Sequence, residues 1–131
     1  MQLSWDTDTN DLDLHTTKQG SDGRYCIDAA NTTDPVDGLL SEDCDSGLDC
    51  NFAGCKAGSY GDPPEWDGVA GRTAGDPMLD IDDLHGFGPE NINVDAMPEG
   101  NYLVGVNTYS AGTTVLPQMS TRAGGETFTL N

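Results

Sequence analysis

The stretch Asp11-Leu12-Asp13-Leu14-His15 alternates strictly between polar and apolar side chains. Side chains two residues apart in a β-strand point to the same face of a sheet. The alternation therefore predicts a strand with Leu12 and Leu14 facing a core, and with the acidic residues and His15 on the opposite face. Because carboxylates aligned on one face repel each other, the stretch predicts a fold and also points to a site.

A second acidic stretch, Asp80-Ile81-Asp82-Asp83, repeats this pattern later in the chain. With Leu79 and Ile81 directed inward, Asp80 and Asp82 are expected to share the outward face of a second strand. Two such strands can bring their carboxylates together around a cation. The alternative is that both acidic faces are solvated and lie far apart.

Short alternating runs and turns surround both stretches. Residues 1–17 and 78–131 show the two-residue rhythm, broken by turns with Gly and Pro at intervals of roughly ten residues. The last part of the chain predicts a closing hairpin, with strands over 113–119 and 126–130. No window shows a convincing helical period. We therefore expect one all-β domain over residues 1–131, an antiparallel β-sandwich of jelly-roll or immunoglobulin-like type.

The middle of the chain, residues 18–77, is expected to be a loop-rich insertion, and it holds all four cysteines. These are Cys26, Cys44, Cys50 and Cys55. No Cys-x-x-Cys pair is present, so a tetrahedral zinc site is poorly supported. The even count predicts two disulfides that pin the loop, with free thiols as the alternative, and the spacing does not choose among the three pairings. Disulfides indicate an oxidising setting, so we expect a secreted or cell-surface protein.

The chain is strongly acidic. Its 131 residues include 23 Asp plus Glu against 5 Lys plus Arg, for a formal net charge of -18. This balance excludes nucleic-acid binding by counterion release and docking to an anionic membrane, since both need clustered basic residues. No stretch reaches the roughly 18 apolar residues of a membrane span, and the N-terminus lacks signal-peptide features, so we expect a domain cut from a longer secreted chain. Because self-repulsion opposes the compact state, we also expect a bound cation.

Calcium is the expected cation. It takes about six to eight oxygen ligands in flexible geometry, whereas Mg²⁺ retains more water and zinc prefers nitrogen or sulfur. The predicted metal ligands are Asp6, Asp8, Asn10, Asp11, Asp13, Asp80, Asp82, Asp83 and Glu90. An EF-hand is excluded, because the loop that begins at Asp6 has Asp11 where glycine is required and Thr17 where glutamate is required.

Signals of catalysis are weak in this sequence. His15 and His85 each follow acidic residues, and we expect each histidine to donate a hydrogen bond to a carboxylate; metal ligation and acid-base catalysis are the alternatives. The chain has no Gly-x-Ser-x-Gly, no His-Glu-x-x-His, no phosphate-binding loop and no dinucleotide fingerprint. We therefore predict no catalytic residues and a protein that is not an enzyme.

Both acidic stretches, with their flanks, resemble a bacterial family of secreted YfaP-like domains. The matching segments lie within residues 3–17 and 76–110. They are Trp5-Asp6-Thr7-Asp8, residues 11–15 and 80–83, Gly86-Phe87-Gly88-Pro89-Glu90-Asn91-Ile92 and Pro98-Glu99-Gly100-Asn101-Tyr102. The resemblance implies an extracytoplasmic β-sandwich with no established catalytic role. The chain departs from it between Tyr25 and Asp49 and after Gly112, where we expect individual specificity to lie.

The function expected from these features is that of a calcium-binding recognition or adhesion module of a secreted bacterial protein. Its partner is expected to be an extracellular glycan or a cell-surface protein, bound through exposed aromatic residues at Phe52, Tyr60 and Trp66. Trp66 is equally a candidate core residue. Two other functions are open: a structural spacer or fibre-tip domain, monomeric or oligomeric, that calcium makes rigid, and a metal-dependent hydrolase that uses His15 and His85.

Overall fold

The computed structural model describes residues 1–27, 48–56, 64–84, 86–110, 112, 114–123 and 126–130. These residues form eight strands and no helix, which confirms the predicted all-β class. The strands are β1 (Gln2–Ser4), β2 (Asp11–Lys18), β3 (Asp49–Cys50), β4 (Met78–Ile81), β5 (Glu90–Asn93), β6 (Tyr102–Ser110), β7 (Gln118–Ala123) and β8 (Glu126–Leu130). A search of the described ranges for a helix that could cross a membrane finds none.

The strands form two antiparallel sheets. The larger sheet has the strand order β4-β5-β1-β7-β8, and the smaller has the order β3-β2-β6. The predicted closing hairpin is present, because β7 and β8 pair antiparallel with Ala123 opposite Glu126. Its first strand begins at Gln118, later than expected, and leaves Pro117 outside the ladder. Proline has no amide hydrogen to donate to a neighbouring strand, so the strand starts after it.

Both sheets contribute side chains to one apolar core. The fully buried members on the strands are Leu3 of β1, Leu12 and Leu14 of β2, Cys50 of β3, Leu79 of β4 and Ile92 of β5. The inward position predicted for the two leucines of β2 is therefore confirmed. Burial of this apolar surface is the main favourable term that holds the two sheets together.

The second face of β2 is also buried. Asp13 and His15 alternate with the core leucines, yet both of these polar side chains are shielded from solvent. An ordinary two-layer β-protein leaves such a face in water. The acidic face of β2 is therefore not the solvated surface that one alternative described, and its buried charges need partners.

A β-bulge in β4 changes the direction of the second acidic stretch. Leu79 pairs with Ile92 and Ile81 pairs with Asn91, so Asp80 is an extra residue in the ladder. A bulge shifts the alternation of the residues beyond it. Ile81 is accordingly 44% exposed, while the side chain of Asp82 is only 3% exposed. The expectation that Ile81 faces inward and Asp82 outward is wrong, because it assumed a regular strand.

The described parts of the loop-rich insertion pack onto the core. Cys50 and Cys55 are paired at disulfide distance, with their Cα atoms 4.9 Å apart, and both are buried. This pair closes a separation of only five residues, so it holds the turn after β3 and does not span the insertion. Cys26 is also disulfide-bonded, and Cys44 lies outside the described residues.

Trp66 is a core residue of the insertion. Its ring is buried and lies 4.9 Å, between centroids, from the ring of Tyr102. Its indole NH donates to the backbone carbonyl of Leu48 at 2.8 Å. The expectation of an exposed Trp66 that contacts a ligand is therefore corrected. A large ring with a satisfied NH group fills the space under the loop better than smaller residues would.

Gly88 sets the path of the chain into β5. Its φ of 79° lies in the left-handed region, and a Cβ atom at this position would lie 3.0 Å from the Leu3 carbonyl oxygen and 3.1 Å from the Ser4 Cα. Two backbone segments therefore leave no room for a side chain. Glu90 follows two residues later as the first residue of β5, so this turn fixes where its carboxylate enters the interior.

We expect Gly88→Ala to lower the free energy of unfolding by about 2–4 kcal/mol, since it adds a steric clash to an unfavourable φ. Gly68→Ala is the matched control, because Gly68 has a φ of 73° and open space around its Cβ position. We expect that control to cost only about 1 kcal/mol. Urea unfolding followed by tryptophan fluorescence measures both values, and equal losses would contradict the close approach at Gly88.

Candidate metal centre

Three carboxylates from three parts of the chain meet beneath β2. Asp13 comes from the middle of β2, Asp82 from the segment after β4, and Glu90 from the start of β5. One carboxylate oxygen from each of the three lies within 4.8 Å of the other two. Asp13 is 2% exposed and Glu90 is 0% exposed. We refer to these three residues as the acidic triad.

Glu90 is held in place by the backbone of the other sheet. The amide of Leu14 donates to Glu90 Oε2 at 2.6 Å. On this edge of β2, β3 pairs only with Thr16 and Thr17. β3 therefore does not extend to Leu14 and offers no carbonyl to the Leu14 amide. The Glu90 carboxylate takes the place of a strand there and links the two sheets by a charge-assisted hydrogen bond.

Each member of the triad also has a buried oxygen with no hydrogen-bond partner among the described residues. These atoms are Asp13 Oδ2, Asp82 Oδ1 and Glu90 Oε1. An unpartnered buried carboxylate oxygen is costly, because it has lost its water without gaining a donor. Three carboxylates this close together would also repel each other. A cation bound between them removes both penalties at once.

Burial and repulsion by neighbouring carboxylates disfavour ionisation of two members of the triad, Glu90 and Asp13. Removal from solvent raises the pKa of Glu90 to about 8, and the charges of Asp13 and Asp82 add to the rise, although the Leu14 amide opposes it. Removal from solvent also raises the pKa of Asp13 to about 6, with Asp11 contributing in the same direction and His15 opposing it. Carboxyl pKa values raised in this way are typical of sites that bind cations or protons.

Lys56 supplies one positive charge to the triad. Its ammonium group lies 2.5 Å from Asp82 Oδ2. Lys56 is held there because its backbone bridges to Leu79 and because the amide of Leu79 donates to the Cys55 carbonyl at 2.8 Å. Three ionised carboxylates (-3) and one ammonium (+1) leave a charge of -2. A divalent cation would neutralise this remainder.

Among the nine predicted ligands, the structure brings together Asp13, Asp82 and Glu90. Asp11 lies near them and is half-buried. It raises the pKa values of both Asp13 and Glu90, so its charge reaches the triad. Asp83 is also half-buried, and it is not one of the three clustered carboxylates.

The remaining predicted ligands are not among the three clustered carboxylates. Asp6, Asp8 and Asp80 are exposed. Asp6 Oδ1 accepts a hydrogen bond from the Leu116 amide at 2.9 Å, and Asp80 accepts one from the side chain of Asn93. Asn10 is buried, and its side-chain oxygen accepts from the Gly112 amide at 2.7 Å. These three hydrogen bonds tie turns and strands to one another.

His15 forms the kind of contact that its sequence predicted. Its Nδ1 lies 2.8 Å from Asp49 Oδ2, and the Asn51 side-chain amide donates to the same oxygen at 2.8 Å. Hydrogen bonding of His15 to a carboxylate is thus confirmed. The carboxylate is that of Asp49, 34 residues away in the chain, and not one from the same acidic stretch. His85 lies outside the described residues.

An open cavity of about 350 Å³ adjoins the triad. Asp11 and Asp13 form part of its wall, and Phe52 and Tyr109 stand on another part. The two rings pack edge to face, with centroids 5.9 Å apart. Phe52 therefore lies in the same cavity wall as the acidic residues, and its predicted role in ligand binding stays a prediction. Tyr60 lies outside the described residues.

The sequence carried little signal for two residues near this site. Lys56 reaches Asp82 across 26 positions, and nothing in the sequence pairs the two. Tyr109 enters the cavity wall through a register shift between β2 and β6, in which Asp11 pairs with Ser110 and Leu12 with Thr108. A weak signal for Lys56 did exist, because basic residues are rare in this acidic chain.

Comparisons with known proteins find no relative of this chain. No family model matches the chain, and neither a curated protein nor a solved structure matches it. The resemblance to YfaP-like domains therefore stays a prediction.

The pKa shifts predict an unusual pH dependence of stability. In EDTA, the free energy of unfolding should fall as the pH rises through the interval from 3.8 to about 6 for Asp13 and from 4.5 to about 8 for Glu90. In these intervals the native protein keeps a proton that the unfolded chain has lost, and rising pH then favours the unfolded chain. Urea unfolding at stepped pH values measures this fall.

Glu90→Gln isolates the upper part of that profile. Glutamine does not titrate, and its side-chain oxygen can still accept from the Leu14 amide. We therefore expect the loss of stability between about pH 6 and pH 8 to be smaller in this variant than in the wild type. If the two proteins lose stability in parallel over this range, Glu90 is not the group responsible.

Proposed function

We propose that the acidic triad binds Ca²⁺ and that the protein is a non-enzymatic, calcium-stabilised recognition module that works outside the cytoplasm. The observation that carries the proposal is the set of three buried carboxylates, each with an unpartnered oxygen, within 4.8 Å of one another. Such an arrangement is unstable alone and is stabilised by a divalent cation. The charge of -2 that remains beside Lys56 supports the same conclusion.

Calcium fits this ligand set better than other common metals. The triad offers only oxygen, which hard cations prefer, whereas structural zinc takes nitrogen or sulfur. Ligands on opposite sides of Ca²⁺ lie about 5 Å apart, and those on opposite sides of Mg²⁺ only about 4 Å apart. Three oxygens that all lie within 4.8 Å of one another fall inside the Ca²⁺ span, and the flexible coordination of Ca²⁺ accepts such an irregular set more readily than the near-ideal octahedron of Mg²⁺.

The setting and the finer fold form part of the proposal. We propose a β-sandwich of jelly-roll or immunoglobulin-like type, supported by two antiparallel sheets that share one core. The Cys50–Cys55 pair supports an oxidising environment, as in secreted and cell-surface proteins. A relationship to YfaP-like domains would agree with both, and it rests on the sequence motifs alone.

A structural spacer is the second candidate. It is favoured by the position of the triad, because a cation there would tie β2 of one sheet to β5 of the other, beside the Leu14–Glu90 hydrogen bond. The recognition role is favoured by the open cavity beside the triad, with its two aromatic rings. A spacer has no need of such a cavity, so we place recognition first.

Calcium should raise the thermal stability of the protein. At free Ca²⁺ about 100-fold above the dissociation constant, binding to the native state adds about 2.7 kcal/mol. For a domain of this size we expect the melting temperature to rise by about 10 °C relative to EDTA. Differential scanning calorimetry measures the shift, with Mg²⁺ expected to give a smaller one. A melting temperature that does not respond to Ca²⁺ would contradict the proposal.

Matched variants test whether the rise in melting temperature with Ca²⁺ comes from binding at the triad. Glu90→Gln and Asp13→Asn should abolish most of the response to Ca²⁺, while in EDTA they should melt no lower than the wild type, since each removes a buried repulsive charge. Asp80→Asn is the control: Asp80 is in the same acidic stretch but is exposed, so its response should be unchanged. Equal responses of all three variants would place the cation elsewhere.

Lys56 should compete with calcium for Asp82. Lys56→Gln removes a positive charge beside the proposed site, so we expect Ca²⁺ to bind roughly tenfold more tightly. In EDTA the same variant should be less stable, because the carboxylate of Asp82 loses its ion-pair partner. Isothermal titration calorimetry measures the affinity, and weaker binding would mean that Lys56 supports the site instead of competing with it.

A further inference from the structure

The cavity beside the acidic triad shares one residue with it. Asp13 belongs to the triad and also lines the cavity, and its Oδ2 is buried with no hydrogen-bond partner among the described residues. The cavity volume of about 350 Å³ lies near the lower end of the roughly 300–1,000 Å³ typical of small-molecule sites. A cation held by the triad would therefore lie next to a space that admits a small ligand.

The triad does not supply enough ligands to complete a calcium site. Three carboxylates offer between three and six oxygens, of which Lys56 and the Leu14 amide already engage one each. Calcium takes about six to eight oxygens. The missing ligands must be further oxygen donors. Asp13 is the member of the triad that lines the cavity, so a ligand's hydroxyl groups would approach the ion from that side.

A β-bulge directs an aromatic ring to this cavity. Between the Asp11–Ser110 and Leu12–Thr108 pairs, Tyr109 is an extra residue of β6. Its side chain is 67% exposed and packs edge to face against Phe52. Bulges are found next to binding sites because they re-aim a side chain at the cost of a regular ladder. An exposed aromatic pair in such a place offers an apolar face to a ligand.

The polarity of the cavity narrows the class of ligand. Its described lining contains two carboxylates, three hydroxyl groups, from Thr9, Tyr109 and Ser110, and no basic residue. An anionic ligand would be repelled by Asp11. With Ca²⁺ bound, the triad and Lys56 together are neutral (-3 + 1 + 2 = 0), so Asp11 is the carboxylate of the described lining that still attracts a cationic ligand. A neutral ligand rich in hydroxyl groups fits the hydroxyl-bearing lining and also supplies the oxygen donors that the ion lacks.

We infer that this cavity binds a carbohydrate ring in a calcium-dependent manner. Adjacent hydroxyls of the sugar coordinate the ion held by the triad, and the apolar face of the ring packs against Tyr109 and Phe52. Thr9 and Ser110 are placed to exchange hydrogen bonds with the outer hydroxyls. The inference rests on the proposed calcium site, and it identifies the class of partner that the recognition module takes.

Binding of simple sugars tests the inference directly. The probes are the methyl glycosides of glucose, galactose, mannose and N-acetylglucosamine at millimolar concentration, added to the full chain in Ca²⁺ or in EDTA. Saturation-transfer NMR detects binding, and titration gives the dissociation constant. We expect at least one glycoside to bind in Ca²⁺, with roughly tenfold or greater loss in EDTA and in Glu90→Gln.

Variants of the aromatic pair test the location. Tyr109→Ala and Phe52→Ala should each weaken binding of the same glycoside by roughly tenfold, whereas Tyr109→Phe should retain it because the ring remains. Phe87→Ala is the matched control, since Phe87 is also an exposed phenylalanine but does not line the cavity. Both alanine variants keep the triad, so their melting temperatures should still rise with Ca²⁺, which shows that they are folded.

The outcomes separate this inference from the proposed function. If Ca²⁺ raises the melting temperature but no glycoside binds, the carbohydrate inference is overturned and the calcium site stands. The carbohydrate inference is also overturned if the glycoside binds equally well in EDTA, or if Tyr109→Ala and Phe52→Ala leave its affinity unchanged. Stronger binding of choline in EDTA than in Ca²⁺ would assign the cavity to organic cations instead. If Ca²⁺ does not change the melting temperature, the proposed calcium-binding function itself is contradicted.

Discussion

The buried carboxylate of Glu90 is the group on which the arrangement of the two sheets depends. One of its oxygens accepts the amide of Leu14 at 2.6 Å, in place of a strand at the edge of β2, and the other lies among the carboxylates of Asp13 and Asp82. A single side chain thus satisfies the backbone of one sheet while it belongs to the other. Because this position is fully buried, the charge must be compensated, and that requirement explains the ion pair of Lys56 and the proposed cation.

The acidic triad lowers the stability of the protein when no cation is bound. Burial raises the pKa of Glu90 to about 8 and that of Asp13 to about 6, so both resist the ionised form that a cation requires. A stable domain would avoid such a cluster, and its presence in a chain of net charge -18 therefore indicates a function. The β-bulges in β4 and β6 both affect this site. One turns Asp82 inward, and the other places Tyr109 at the cavity.

Several features of the fold could be read from residue patterns. The alternation around Leu12 and Leu14 predicted their burial, and Asp13, Asp82 and Glu90 were among the predicted ligands. The side chain of Asp82 was expected on the wrong face, because an inserted residue at Asp80 has no signature in an alternating stretch. Trp66 could not be assigned either, since a lone tryptophan in a loop is as suitable for a core as for a ligand, and only its packing against Tyr102 decides.

By itself, the amino-acid sequence determined the all-β class, the apolar face of β2 and the excess of acidic groups that need compensation. These are local or additive properties, set by the two-residue period of a strand and by the sum of charges. Only the tertiary structure decided which carboxylates meet, because Asp13 and Glu90 are 77 positions apart in the chain and come together through packing of the two sheets. Strand register and burial likewise decided which residues Lys56, His15 and Tyr109 contact. No short stretch of sequence encodes these two properties.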